Sequence, residues 1–185
     1  MRKITKESSE AFVNLEYFKK SNTEISAPIT PNWDDWKEGD EFVEYDAVSA
    51  FYLHGNLIAF MDETGQVDRY IETFKASRTI ESRKVKIDLC GWHTPTTRER
   101  INGILDALGY DFRIAQRNHE QVLVRQMNPL PQAFLDHLKL PNAVEGSKEK
   151  VLKLSDDSFD PEFAKKVFES SEFVSGTDLN AIADF

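Results

Sequence analysis

The sequence predicts an α+β fold: a small antiparallel sheet with helices packed on one face, and a C-terminal helical acidic tail. Three observations carry this. Residues alternate at period two in KVKIDLC (84–90) and again across 110–115, with 120–126 the partner strand of a hairpin. Apolar residues recur at helical spacing at Ile101, Ile104, Leu105 and Leu108. Turn-forming residues divide the apolar runs at His54-Gly55-Asn56, Asp62–Gly65 and Arg117-Asn118-His119.

Taken in order, residues 4–20 read as the first helix. Thr5 or Ser8 caps its start, Glu7 and Glu10 suit the positive end of the dipole, and Phe12 and Leu15, with Val13 and Phe18, supply an apolar stripe. Lys19 and Lys20 suit the negative end, and Ser21-Asn22 stops the helix. Residues 27–48 hold two prolines, Trp33, Trp36 and many acids. They read as an acidic insertion whose tryptophans either pin a long loop to the core or form a docking patch. Residues 49–61 make strand, turn and strand; Asp62–Gly65 is expected to turn, with Gln66–Phe74 a further strand. The chain crosses 75–83 and enters the strand 84–90, where Lys84 and Lys86 share the wet face. After the turn Gly91–Pro95, Thr96 and Glu99 fit a capping box for a helix that Gly109 ends. The hairpin 110–126 follows, then a breaker at Met127–Pro131 and a short helix at Gln132–Leu138. Residues 1–140 form the core domain and 141–153 a linker. In 154–185, Asp160-Pro161 opens an amphipathic helix carrying Phe163, Val167 and Phe168; Gly176 ends it, and the chain closes on Asp184-Phe185.

The bulk numbers narrow the function classes. The chain has 185 residues, 40% of them hydrophobic and 30% charged, which suits a folded, water-facing domain with a core. No apolar run is long enough for a membrane span, and the basic start MRKITK leads into a charged helix, so neither a membrane partner nor a signal peptide is expected. The lone Cys90 has no disulfide partner within the chain and fits a reducing cytoplasm. The four histidines (54, 93, 119, 137) lack metal-ligand spacing, and no phosphate loop or nucleophile elbow is present. No catalytic residue, metal or cofactor is therefore expected.

Charge locates the working surface. The chain carries a net −9, yet residues 75–125 hold ten Lys/Arg against six Asp/Glu, a local +4. Residues 31–72 (eleven acids, two bases) and 154–185 (eight acids, two bases) are strongly acidic. Basic residues interleaved with aromatics suit single-stranded nucleic acid, where cations meet phosphates and unstacked bases lie on aromatic faces at about 1–3 kcal/mol each. The candidates are Lys84, Lys86, Arg98, Arg100, Arg113, Arg117 and Arg125 for phosphates. Trp92 and His93 are candidates for stacking or for shaping the groove, with Trp92 in the core the alternative. From another class, the acidic surfaces of 31–48 and of the tail could carry function by binding a protein partner without DNA.

Two resemblances add expectations. The basic surface, linker and acidic tail resemble bacterial and phage single-stranded-DNA-binding proteins, carried here by Asp178 through Asp184-Phe185. That implies a tail that competes with DNA and docks a replication or transcription partner. FKKSNTEI (18–25), LHGNLIA (53–59) and GWHTPTTRERINGIL (91–105) resemble motifs of small phage early proteins. The combination is similar to the DNA-binding RNA polymerase cofactor (Drc) family of phages, which implies single-stranded-DNA binding and recruitment of a phage RNA polymerase in the cytoplasm of the infected host. Self-association is expected, with the helix at 161–174 as the exchanged element.

Overall fold

A computed structural model describes residues 1–26, 42–70, 75–126, 149–170 and 173–183. Its frame is a long antiparallel meander, β3 (Phe42–Leu53), β4 (Asn56–Tyr70) and β5 (Lys75–Asp88). The first turn needs two residues at positive φ, and His54 (52°) and Gly55 (81°) supply them, the geometry that matches strand twist. Asp62–Gly65 does not turn. β4 runs straight through it, with a register shift at Thr64/Gly65. Gly65 is there because the β5 backbone approaches closely: a Cβ would lie 2.1 Å from the Thr79 carbonyl oxygen.

The first helix is shorter than expected. α1 spans Lys3–Asn14 and closes on Leu15 in the left-handed region (φ 60°). Residues 18–20, expected to be helical, instead form β1 (Phe18–Lys20), which pairs with β2 (Thr23–Ser26) around Ser21 at φ 56°. Together with β9 (Ser158–Phe159) these strands give a six-stranded antiparallel sheet in the order β1-β2-β3-β4-β5-β9.

One sheet face is buried. Tyr45, Ala47, Phe51, Met61, Val85 and Ile87 join Phe12 and Leu15 of α1 and Ile101, Ile104 and Leu105 of α2 (Pro95–Ala107) in a single core. The two helices pack closely through Gly103, whose Cβ position lies 2.5 Å from Thr5 Cγ2 and 2.7 Å from Ser9 Oγ. The cap of α2 is Thr94, not Thr96: its hydroxyl accepts from the Thr97 N–H at 3.2 Å. Glu99 looks across to α1 instead, accepting from the Arg2 N–H (2.9 Å) and the Thr5 hydroxyl (3.1 Å).

β6 (Phe112–Arg117) and β7 (Glu120–Gln126) form the expected hairpin, turning on Asn118 and His119 at φ 48° and 68°. A third strand, β8 (Glu149–Lys153), adds to β7, so the end of the expected linker is sheet. The fold class is α+β as predicted, but the C-terminal segment is integral to it. α3 (Pro161–Glu169) is capped by Asp160, whose Oδ1 accepts from the Glu162 and Phe163 N–H groups. Its Phe168 ring lies 5.4 Å from that of Phe112. α3 ends at Glu169 rather than near Gly176, and α4 (Leu179–Ala183) buries Leu179. The expected helix at 132–138, the tryptophans at 33 and 36 and the breaker at 127–131 lie outside the described residues.

Candidate nucleic-acid interface

The three segments 18–25, 53–59 and 91–105 meet at one end of the large sheet. The Asn22 carbonyl accepts from the His54 N–H at 2.7 Å, and Asn22 Nδ2 lies 2.6 Å from His54 Nε2. Thr23 and Arg100 are joined by a hydrogen bond of 3.3 Å. Between the second and third segments lies a cleft of about 450 Å³. Leu53, His54, Asn56 and Ile58 form one side, and Trp92, Thr94, Thr96 and Thr97 the other. Among the described residues, no Asp, Glu, Lys or Arg lines it.

Trp92 stands in the open, 56% exposed, so the core alternative is set aside. The turn that presents it is heavily tied. Cys90 and Gly91 are at φ 52° and 72°. The Cys90 N–H donates to Asp88 Oδ1 (2.7 Å) and the Gly91 N–H to Asp157 Oδ2 (2.6 Å). His93 Nε2 meets Asp157 Oδ1 at 2.5 Å, and Arg98 donates to the His93 carbonyl at 2.7 Å. Burial, reinforced by Asp88, pushes the Cys90 thiol up from its ordinary range, so it is not a poised thiolate.

On the outer sheet face, register sets the neighbours. Lys86 lies opposite Phe60, and Lys84 opposite Asp62. Both lysines are exposed, and neither makes an ion pair among the described residues. They line a cleft of about 520 Å³ whose far wall is the C-terminal segment, with Ser158, Asp160, Phe163 and Asn180. Phe60 is 36% exposed there. Because β9 pairs with β5 at Asp88↔Ser158 and Asp157 holds the Trp92 turn, this cleft and the Trp92 turn are joined through residues 157–160.

The other expected contacts divide. Arg113 is exposed and faces, with Arg98, a cleft of about 650 Å³ that also holds Asp106 and Asp111. Arg117 bridges Glu149 at 3.0 Å. Arg125 is half-buried and held by Asp111 at 2.6 Å, with Glu169 at 4.0 Å. Arg100 is a correction. Only 3% exposed, it donates to the Thr5 and Thr23 hydroxyls, so it meets no phosphate; burial draws its guanidinium below the usual range. At the start of α2, where backbone N–H groups could meet an anion, the Thr94 hydroxyl already takes the Thr97 N–H. Asp178 is likewise spoken for: its Oδ1 accepts from the Asn180 N–H (2.9 Å) and the Ser155 hydroxyl (3.0 Å). Asp184 and Phe185 lie outside the described residues. Sequence reasoning missed Phe60, His54 and Asn56. Phe60 was detectable as the apolar residue on the wet side of the β4 alternation, whereas the pairing of the His54 and Trp92 turns needed the tertiary fold.

Residues 76–139, which are 64 of the chain's 185, match the family model described as Kyanoviridae Gp96 protein, a phage family. The match takes in most of β5, all of α2 and the β6–β7 hairpin, and it supports a bacteriophage origin. No curated protein and no solved structure matches the chain. Among the described residues, no helix is long and apolar enough to cross a membrane.

Proposed function

We propose that this is a phage protein that binds single-stranded DNA without strong sequence preference. The carrying observation is the pair of exposed lysines, Lys84 and Lys86, which make no ion pair among the described residues, beside the exposed ring of Phe60 and next to the turn that presents Trp92. In this reading Lys84, Lys86 and the exposed Arg113 meet phosphates, and Trp92 and Phe60 offer faces to bases. His93 and Arg98 act by building the turn. Arg117 and Arg125 are neutralised by their acids and contribute little. Recruitment of an RNA polymerase, self-association and action in the cytoplasm of the infected host rest on the resemblance to phage cofactors, with Asp184 and Phe185 as the remaining tail candidates. A second reading, docking of a protein partner, draws on the same outer face. There Val48 and Phe60 are exposed among Glu44, Asp46 and Asp62.

Fluorescence anisotropy with a labelled oligonucleotide tests the reading. Affinity should fall with salt at a log–log slope of about 0.7 per phosphate contacted, so the Lys84→Ala/Lys86→Ala double variant should lower the slope by about 1.4. Absence of binding at low salt would overturn it. Recovery of a protein partner from nuclease-treated infected-cell lysate would move the function to the second reading.

A further inference from the structure

We infer that the cleft between the His54 turn and the Trp92 turn is a pocket for one unstacked nucleobase. The inference rests on the single-strand reading and assigns the residues that receive the base. Hydrogen bonds tie down the 88–94 turn, among them those to the Asp157 carboxylate from Gly91 and His93, Cys90 to Asp88, Arg98 to the His93 carbonyl, and the Trp92 N–H to the Leu89 carbonyl at 2.8 Å. Their combined effect is to hold a large aromatic side chain out in water, where hydrophobicity alone disfavours it. An exposed indole on a tied turn is a stacking platform.

The rest of the cleft selects the class of ligand. At about 450 Å³ it falls in the range of small-ligand sites and has room for one heterocycle. Leu53 and Ile58, both buried, give an apolar floor. The polar groups on its walls are neutral: the Asn56 amide, the His54 ring, and the Thr94 and Thr96 hydroxyls. Among the described residues, the Thr96 hydroxyl and the indole N–H of Trp92 have no hydrogen-bond partner. Among the described residues no Lys or Arg lines the cleft, which suits an uncharged occupant better than a phosphate. An uncharged planar ring with donors and acceptors on its edge fits, and on a strand whose phosphates run past Lys84 and Lys86 that ring is a base.

The test compares a base-bearing oligonucleotide with an abasic strand of equal length, by anisotropy at one salt concentration, on the full chain. One stacked base should give the base-bearing strand an advantage of about 5- to 150-fold. Trp92→Ala, checked for folding by circular dichroism, should lower that advantage by the factor due to one stacked base and leave the salt slope unchanged. Thr96→Val should lower it by a smaller factor, while Phe60→Ala should leave the part due to Trp92. Equal binding of both strands by the wild type would overturn the pocket and spare the single-strand reading. An advantage undiminished by Trp92→Ala would also overturn it. Failure to bind either strand would remove the reading on which the pocket rests, and the pocket with it.

Discussion

Arg100→Ala separates a structural arginine from a DNA contact. Arg100 joins α2 to α1 through Thr5 and to β2 through Thr23, and both threonines are fully buried. A hydrogen bond with a charged partner contributes about 1.5–3 kcal/mol, so the two together set an upper range of about 3–6 kcal/mol. Two terms reduce it. The substitution also removes a charge that burial has desolvated. The Thr5 hydroxyl keeps its bond to Glu99, and Thr23 keeps Asn22 at 3.3 Å. A net loss of about 2–4 kcal/mol follows, which for a chain of this length lowers Tm by about 4–16 °C. Differential scanning calorimetry checks it, with Arg113→Ala as an exposed comparison expected within about 0.5 kcal/mol of wild type. If Arg100→Ala melted with the wild type yet bound oligonucleotide more weakly, the assignment of Arg100 to the core would be wrong.

Two further outcomes test how α1 is seated on α2. Burial opposes ionisation of Glu99, but the Arg2 N–H, the Thr5 hydroxyl and the charges of Arg2 and Arg100 outweigh it and hold the carboxyl below its ordinary 4.5. Its stabilisation is therefore full above that value and is lost as pH falls through the lower folded value. Glu99→Gln should cost about 1 kcal/mol at pH 7 in urea denaturation, and the gap should narrow below pH 4.5; a gap that widened in acid would contradict this. Gly103→Ala gains about 1 kcal/mol of helix propensity but forces Thr5 and Ser9 to move, so a net loss of about 1–3 kcal/mol is expected in the same assay. A stabilised variant would show that the helices can separate freely.

What the sequence made legible was local. The hairpin at 112–126 was visible because the polar stretch Arg117-Asn118-His119 sits between two apolar-rich runs, and α2 because its apolar residues fall three and four apart. The same spacing held a clue to Arg100, which lies three residues after the buried Thr97 and four before Ile104. A charged side chain on a buried stripe was read as a phosphate contact. β1 was hidden because its lysines at 19 and 20 also suit the end of a helix. β8 was hidden by composition, since Glu149–Lys153 is mostly charged and only Leu152 is fully buried. At Asp62–Gly65 a turn-like composition marks a bulge, and only the approach of β5 distinguishes the two. Of the candidate site, the lysine alternation was readable, but its wall from residues 158–180 was not.

That wall changes how the acidic C-terminal segment relates to the basic strip. In the sequence the two look like opposed surfaces, with the acids free to compete for the cations. In the fold, three acids of that segment near the strip already have partners. Asp157 accepts from Gly91 and meets His93, Asp160 caps α3, and Asp178 accepts the Asn180 N–H. Each carboxylate so engaged would have to leave a backbone N–H unmatched before it could displace a phosphate, at about 1–3 kcal/mol per bond. Meanwhile Phe159 and Phe168 anchor the segment in the core. The segment thus meets the candidate site as part of its framework, closing the lysine cleft on one side and fixing the Trp92 turn on the other. Within the described residues, the acid that directly opposes the lysines comes from the sheet itself: Asp62, across the strand from Lys84.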